Sequence, residues 1–227
     1  MPLPTVILPG YLENASSYYL LEQSLQNLGF PTVTVPVNIG DWIGTLGKKG
    51  VSPILRLLSE TVEKTTSTHE SSQVNIIGHS AGGWIARIYL GDIPYLEDYS
   101  SNKTHLQVST LVTLGTPHIS QERWTRKSID FVNLHYPGAF HPNINYVCIA
   151  GKTIFGKRRW GKWFAFSSYQ QTCGNGNTWG DGITPVSAAH LKGAENLIIE
   201  GATHSPKSPD DWYGSPKYLN VWAKFLQ

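Results

Sequence analysis

The sequence predicts an α/β fold: a mostly parallel central sheet of about six or seven strands with helices on both faces. Three observations lead there. Short apolar runs rich in β-branched residues alternate with segments of helical period. The runs do not alternate polar with apolar, so both faces of the sheet are covered. No repeat and no low-complexity linker interrupts the 227 residues, so one domain spanning 1–227 is expected.

The elements follow in order. TVILPG (5–10) is a buried strand. Residues 14–28 have helical spacing, with Leu20, Leu21, Leu25 and Leu28 on one face, and Gly29 ends the helix. FPTVTVPV (30–37) is a strand. Residues 52–62 form a helix entered through Pro53, where the missing N–H costs nothing. VNIIGH (74–79) is a strand and 82–90 a helix. Strands follow at 108–117, 145–151 and 195–201, and a helix at 216–226 closes the chain. Two long stretches, 118–143 and 152–180, are aromatic-rich insertions and candidate caps or lids, since loops of that length are usually functional.

Composition excludes several classes. A net charge of +2 is too small for a nucleic-acid-binding stripe. No apolar run reaches membrane-spanning length. The opening residues carry no basic-then-apolar leader, so a cytoplasmic or peripheral membrane location is expected; a monomer is expected as well. Two cysteines, Cys148 and Cys173, give no disulfide framework and read as reduced thiols. The histidines do not fall at zinc-ligand spacing.

The stretch GHSAG (78–82) puts Ser80 between small residues where a strand meets a helix. That is the setting of a nucleophile on a sharp turn; the competing reading is a plain helix N-cap. A serine needs a base and an acid to orient the base. Asp181, in WGDGITP, and His204, in GATHSP directly after the last strand, come in the required order. Asp181 would otherwise make an Asx-turn. The backbone N–H groups of Ala81 and of Tyr11, in LPGYL, are the candidate oxyanion donors. His79 and His118 lie near strand ends and are candidate cleft residues.

With LPGY, GHSAGG, TLGTPH and GDGITPVSA in order, the chain resembles the α/β-hydrolase superfamily over essentially its whole length. Within the superfamily it looks like lipases and the group around the glycosylphosphatidylinositol inositol-deacylases (PGAP1-like). The resemblance implies an α/β-hydrolase fold, here without the leading strands many members have. It also implies a serine hydrolase cleaving carboxylic esters, a lipase or esterase acting on acyl lipids, with Ser80, His204 and Asp181 as the triad and neither metal nor cofactor called for. A thioesterase or acyltransferase on the same triad is the alternative, and a non-catalytic binding protein on a hydrolase scaffold is a third reading. Phe131, Tyr136 and Phe140 could line an acyl tunnel or simply pack. Lys157, Arg158, Arg159, Trp160 and Trp163 interleave bases with aromatics, a pattern suited to a lipid surface but also to packing over the core.

Overall fold

A computed structural model describes residues 2–45, 50–96, 99, 103–208 and 210–227. Six parallel strands form the main sheet: β1 (Thr5–Leu8), β2 (Thr32–Thr34), β3 (Val74–His79), β4 (Val108–Leu114), β5 (Asn145–Lys152) and, after a small antiparallel pair β6 (Ile154–Phe155) and β7 (Trp179–Gly180), β8 (Glu195–Glu200). Their spatial order is β2-β1-β3-β4-β5-β8.

Among the described residues, eight α-helices accompany them: α1 (Tyr19–Asn27), α2 (Ile39–Gly44), α3 (Ser52–Thr68), α4 (Ala81–Tyr89), α5 (Arg123–His135), α6 (Trp163–Cys173), α7 (Val186–Ala189) and α8 (Pro216–Trp222). Successive strand residues point to opposite faces. Val6, Leu8, Ile76 and Leu111 therefore join a core with Leu55 and Leu58 of α3, Ile85 of α4 and Val132 of α5. Ile7, Ile77, Val112 and Val147 join a second core with Leu21 and Leu25 of α1 and Leu219 and Trp222 of α8. Helices thus cover both faces, as the strand composition requires.

Several expectations shift. The strand expected over 30–37 shrinks to three residues between Pro31 and Pro36, each lacking the N–H a ladder needs. The first helix buries Leu21 and Leu25 but leaves Leu20 and Leu28 exposed; Tyr18 fills the space instead. Helix α2 was not foreseen from the sequence. It starts on a capping box, with Asn38 Oδ1 accepting from Gly40 N–H and Asp41 Oδ2 from Asn38 N–H. The candidate caps are not simple loops. Segment 118–143 carries α5, and 152–180 carries β6, α6 and β7. Cys148 and Cys173 are both free thiols.

Candidate active site

All six strands are parallel, so their C-terminal ends share one edge, and the loops leaving them meet there. The connections after β1, β3, β4, β5 (the long one through β6, α6 and β7) and β8 build the site.

Strand β3 is buried along its whole length and stops at Ser80. Ser80 has φ 51° and ψ −120°, a sparsely populated conformation for a residue with a Cβ. The turn is possible because the residues two positions before and after it are glycines, Gly78 and Gly82. A Cβ on Gly78 would lie 2.5 Å from Gly83 Cα, and one on Gly82 2.4 Å from the Leu8 carbonyl oxygen. Strand β3, helix α4 and strand β1 therefore pack backbone against backbone. Helix α4 begins at Ala81 and aims its N-terminal end, with its partial positive charge, at the space beside the serine hydroxyl.

Three side chains form a row. His204 Nε2 lies 3.0 Å from Ser80 Oγ, and His204 Nδ1 lies 2.7 Å from Asp181 Oδ2. Asp181 is buried. Its Oδ1 accepts from the N–H groups of Ile183 (2.9 Å) and Thr184 (2.7 Å), and its Oδ2 also accepts from the Tyr213 hydroxyl (2.6 Å). Burial pushes the carboxyl upward, but His204, Tyr213 and the Thr184 N–H together hold it below the usual carboxylate value. Asp181 thus makes the Asx-type turn and faces the histidine at once. The His204 N–H also donates to the Asp181 carbonyl at 3.1 Å, fastening the two loops together.

The two residues expected to offer oxyanion donors lie at one cavity. Tyr11 and Ala81 line a cavity of about 270 Å³ together with Ser80 and His204. The N–H of Gly10 is committed to the Tyr18 hydroxyl at 2.8 Å. Trp84, Pro117, Ser168 and Thr172 complete much of the wall, so α6 contributes to it, and Ser120, Glu122 and Thr125 bring in the start of the 118–143 segment.

The cleft assignments from sequence need correction. His79 is buried behind the row, not in the cavity. Its Nδ1 accepts from the Tyr18 hydroxyl (2.6 Å), which itself accepts from Gly10, and its Nε2–H donates to the His204 carbonyl (2.9 Å). Burial first, and then the neighbouring His204, lower its pKa to about 3, so it is neutral. His118 is buried among Arg87, Thr113 and Cys148; burial and Arg87 hold it well below its ordinary pKa. Phe131, Tyr136 and Phe140 line no part of the cavity. Phe131 packs edge-on against Tyr95 at 5.2 Å and Tyr136 stacks on Phe140 at 4.7 Å, over the helix-covered core. Apolar faces of the inserted segment are drawn to that core because burying them there removes more surface from water than lining a small wet cavity.

Sequence reasoning missed Tyr18 and Tyr213. Each sits far along the chain from its partner, and no motif marks it. It also missed Asp92, His105 and His141, each of which brings one donor atom within 4.8 Å of the others. They stand where β4 and β5 begin, the sheet edge opposite Ser80. The rings of His105 and His141 stack 4.4 Å apart and 17° from parallel, so their in-plane lone pairs run side by side and do not converge on one ion. Lys157, Arg158, Arg159, Trp160 and Trp163 lie on the surface before and at the start of α6. Among the described residues no helix is long and apolar enough to cross a membrane.

Comparison with known proteins agrees with this architecture. The family described as PGAP1-like alpha/beta domain matches residues 46–135. A crystal structure of a Listeria innocua gene product is similar over 97% of this chain and 92% of its own, at 16% identity and TM-score 0.55. An alpha-beta serine hydrolase homologue from Coxiella burnetii is similar over 99% and 83%, at 11% identity and TM-score 0.52. Phospholipase PlaB from Legionella pneumophila matches 90% of this chain at 14% identity and TM-score 0.63, and the match spans about half of that protein, 54%. A search of curated proteins found no significant match.

Proposed function

We propose that this chain, which is similar to the PGAP1-like alpha/beta domain over residues 46–135 and shares its fold with an alpha-beta serine hydrolase homologue, belongs to the α/β-hydrolase superfamily and hydrolyses carboxylic esters of acyl lipids through an acyl-enzyme. The observation that carries the reading is the hydrogen-bonded row from Ser80 through His204 to the buried carboxylate of Asp181.

In this reading the lone pair of His204 Nε2 takes the Ser80 hydroxyl proton as Oγ attacks the acyl carbon. Asp181 accepts from Nδ1–H, holds that tautomer and stabilises the imidazolium. The oxygen of the tetrahedral intermediate gains charge beside the N–H groups of Ala81 and Tyr11. The intermediate collapses, the ester C–O bond breaks, and His204 returns its proton to the departing alcohol. Water repeats the sequence against the acyl-enzyme and releases the acid. His79 and Tyr18 stay out of the proton transfer and hold the His204 backbone in place. The phospholipase among the structural neighbours supports a lipid ester as the substrate class.

The test is hydrolysis of p-nitrophenyl esters from short to long acyl chains, with matched thioesters and Ser80→Ala alongside. Loss of at least ~10³-fold in Ser80→Ala is expected, with oxygen esters turned over faster than thioesters and rates rising with chain length. Undiminished hydrolysis in Ser80→Ala would overturn the assignment. Preference for thioesters would replace ester hydrolysis by thioester chemistry.

A further inference from the structure

The surface before and at the start of α6 has an arrangement the catalytic row does not explain. Trp160 is 99% exposed, Trp163 62% and Phe164 66%. By contrast Trp42, Trp84, Trp212 and Trp222 are all buried, so this chain does bury tryptophan where a core exists to receive it. Leaving three neighbouring large aromatics in water forgoes the burial that usually keeps them inside.

The charge around them is one-sided. Residues 152–180 contain five of the 18 basic residues and none of the 16 acidic ones, so the rest of the chain bears a net −3. Among the described residues, Lys157, Arg158, Arg159 and Lys162 form no ion pair. Arg158 lies over the Phe166 ring at 4.9 Å and Lys157 over Phe155 at 5.4 Å, so two cations are held along the aromatic surface. Arg158, Arg159, Trp160 and Trp163 frame one open hollow.

We propose that residues 157–164 dock the protein on an anionic lipid bilayer, with Trp160, Trp163 and Phe164 at the interface and the four cations against lipid headgroups. Tryptophan favours the headgroup region because its ring is apolar and its N–H polar. Lysine and arginine near an anionic surface each strengthen binding roughly fivefold. The consequence for the site is geometric. Phe164 and Ser168 are one helical turn apart, about 6 Å along α6, and Ser168 lines the cavity beside Ser80. Docking holds that wall close to the lipid surface. The inference names the surface on which the proposed ester hydrolase works, and vesicle binding can be read without any turnover.

The experiment is sedimentation of the full chain with vesicles of phosphatidylcholine alone and of phosphatidylcholine mixed in roughly equal parts with phosphatidylglycerol. It is repeated with Arg158→Glu/Arg159→Glu and with Trp160→Ala/Trp163→Ala. These side chains are on the surface and outside the catalytic row, so hydrolysis of a short soluble ester should be unchanged. The expected result is binding to the anionic vesicles only, weakened at high salt and reduced at least roughly tenfold in each variant. Equal binding to neutral vesicles, binding unaltered in the variants, or no vesicle binding would overturn the proposal. So would association with a nucleic-acid duplex or single strand in place of vesicles. Failure to dock with Ser80-dependent hydrolysis intact would leave the proposed function standing. Docking with an inert Ser80 would do the reverse.

Discussion

Replacing Asp181 by Asn should cost about 10⁴-fold in turnover while leaving the fold in place, and the structure says why. Oδ1 accepts two backbone N–H groups, from Ile183 and Thr184. An amide nitrogen there would face two donors, so the asparagine oxygen must take that position. The NH₂ then occupies the place of Oδ2, 2.7 Å from His204 Nδ1 and 2.6 Å from the Tyr213 hydroxyl, whose proton must turn away. It can only donate. His204 must present a lone pair at Nδ1 and carry its proton on Nε2, which faces Ser80 Oγ. A protonated Nε2 cannot accept the serine proton. This wrong-tautomer effect is worth about 10⁴ in kcat where it has been isolated, or about 5.5 kcal/mol of barrier. The assay is p-nitrophenyl ester hydrolysis together with the second-order rate of labelling by a fluorophosphonate, with urea unfolding as the check on folding. Both rates should fall together. A folded Asp181→Asn within tenfold of the parent would mean that the carboxylate does not set the tautomer, and the roles assigned to the row would be wrong.

Two further outcomes follow from the buried network. Tyr213→Phe removes a hydroxyl that donates to Asp181 at 2.6 Å and accepts from Gly151 N–H at 2.8 Å. A charge-assisted bond is lost and a buried donor orphaned, so unfolding free energy should drop by about 2–4 kcal/mol; a drop below about 0.5 kcal/mol by urea titration would contradict this. His79 has a folded pKa of about 3 against an ordinary 6.5. Between those values the unfolded chain binds more protons, so this contribution to stability is full above about 6.5 and is lost as pH falls toward 3. At pH 5 the loss is ~2 kcal/mol. His79→Gln should flatten the stability difference between pH 7.5 and pH 5 by that amount, and an unchanged slope in urea titrations would show that another group carries it.

The legible part of the fold was its alternation. Strands such as VNIIGH and VSTLVTL announce burial on both faces, and Pro53 and Gly29 mark helix ends through backbone chemistry that needs no tertiary partner. The α5 and α6 helices were not legible, because the aromatics between residues 118 and 180 serve several different packing partners and give no single periodic face. Tyr136 and Phe131 turn to the core, while Trp163 and Phe164 turn to water. Only the folded chain distinguishes these fates.

For the candidate site the division is similar. Ser80 could be found from sequence because its strained turn demands small neighbours at fixed offsets, and those offsets are local. Asp181 and His204 could be ordered because they lie in the connections after two strands of the parallel sheet, β5 and β8, and parallel strands bring their C-terminal ends to one edge. What sequence alone could not decide was which groups stand behind that row. Tyr18, His79 and Tyr213 take their roles from contacts across 61, 125 and 32 residues of chain. Such contacts depend on three-dimensional distance and on the need of buried donors and acceptors to find partners. The same is true of His118, whose place at a strand end suggested the cleft. The fold closed it into the interior beside Arg87, because the direction of a side chain is decided by what packs against it.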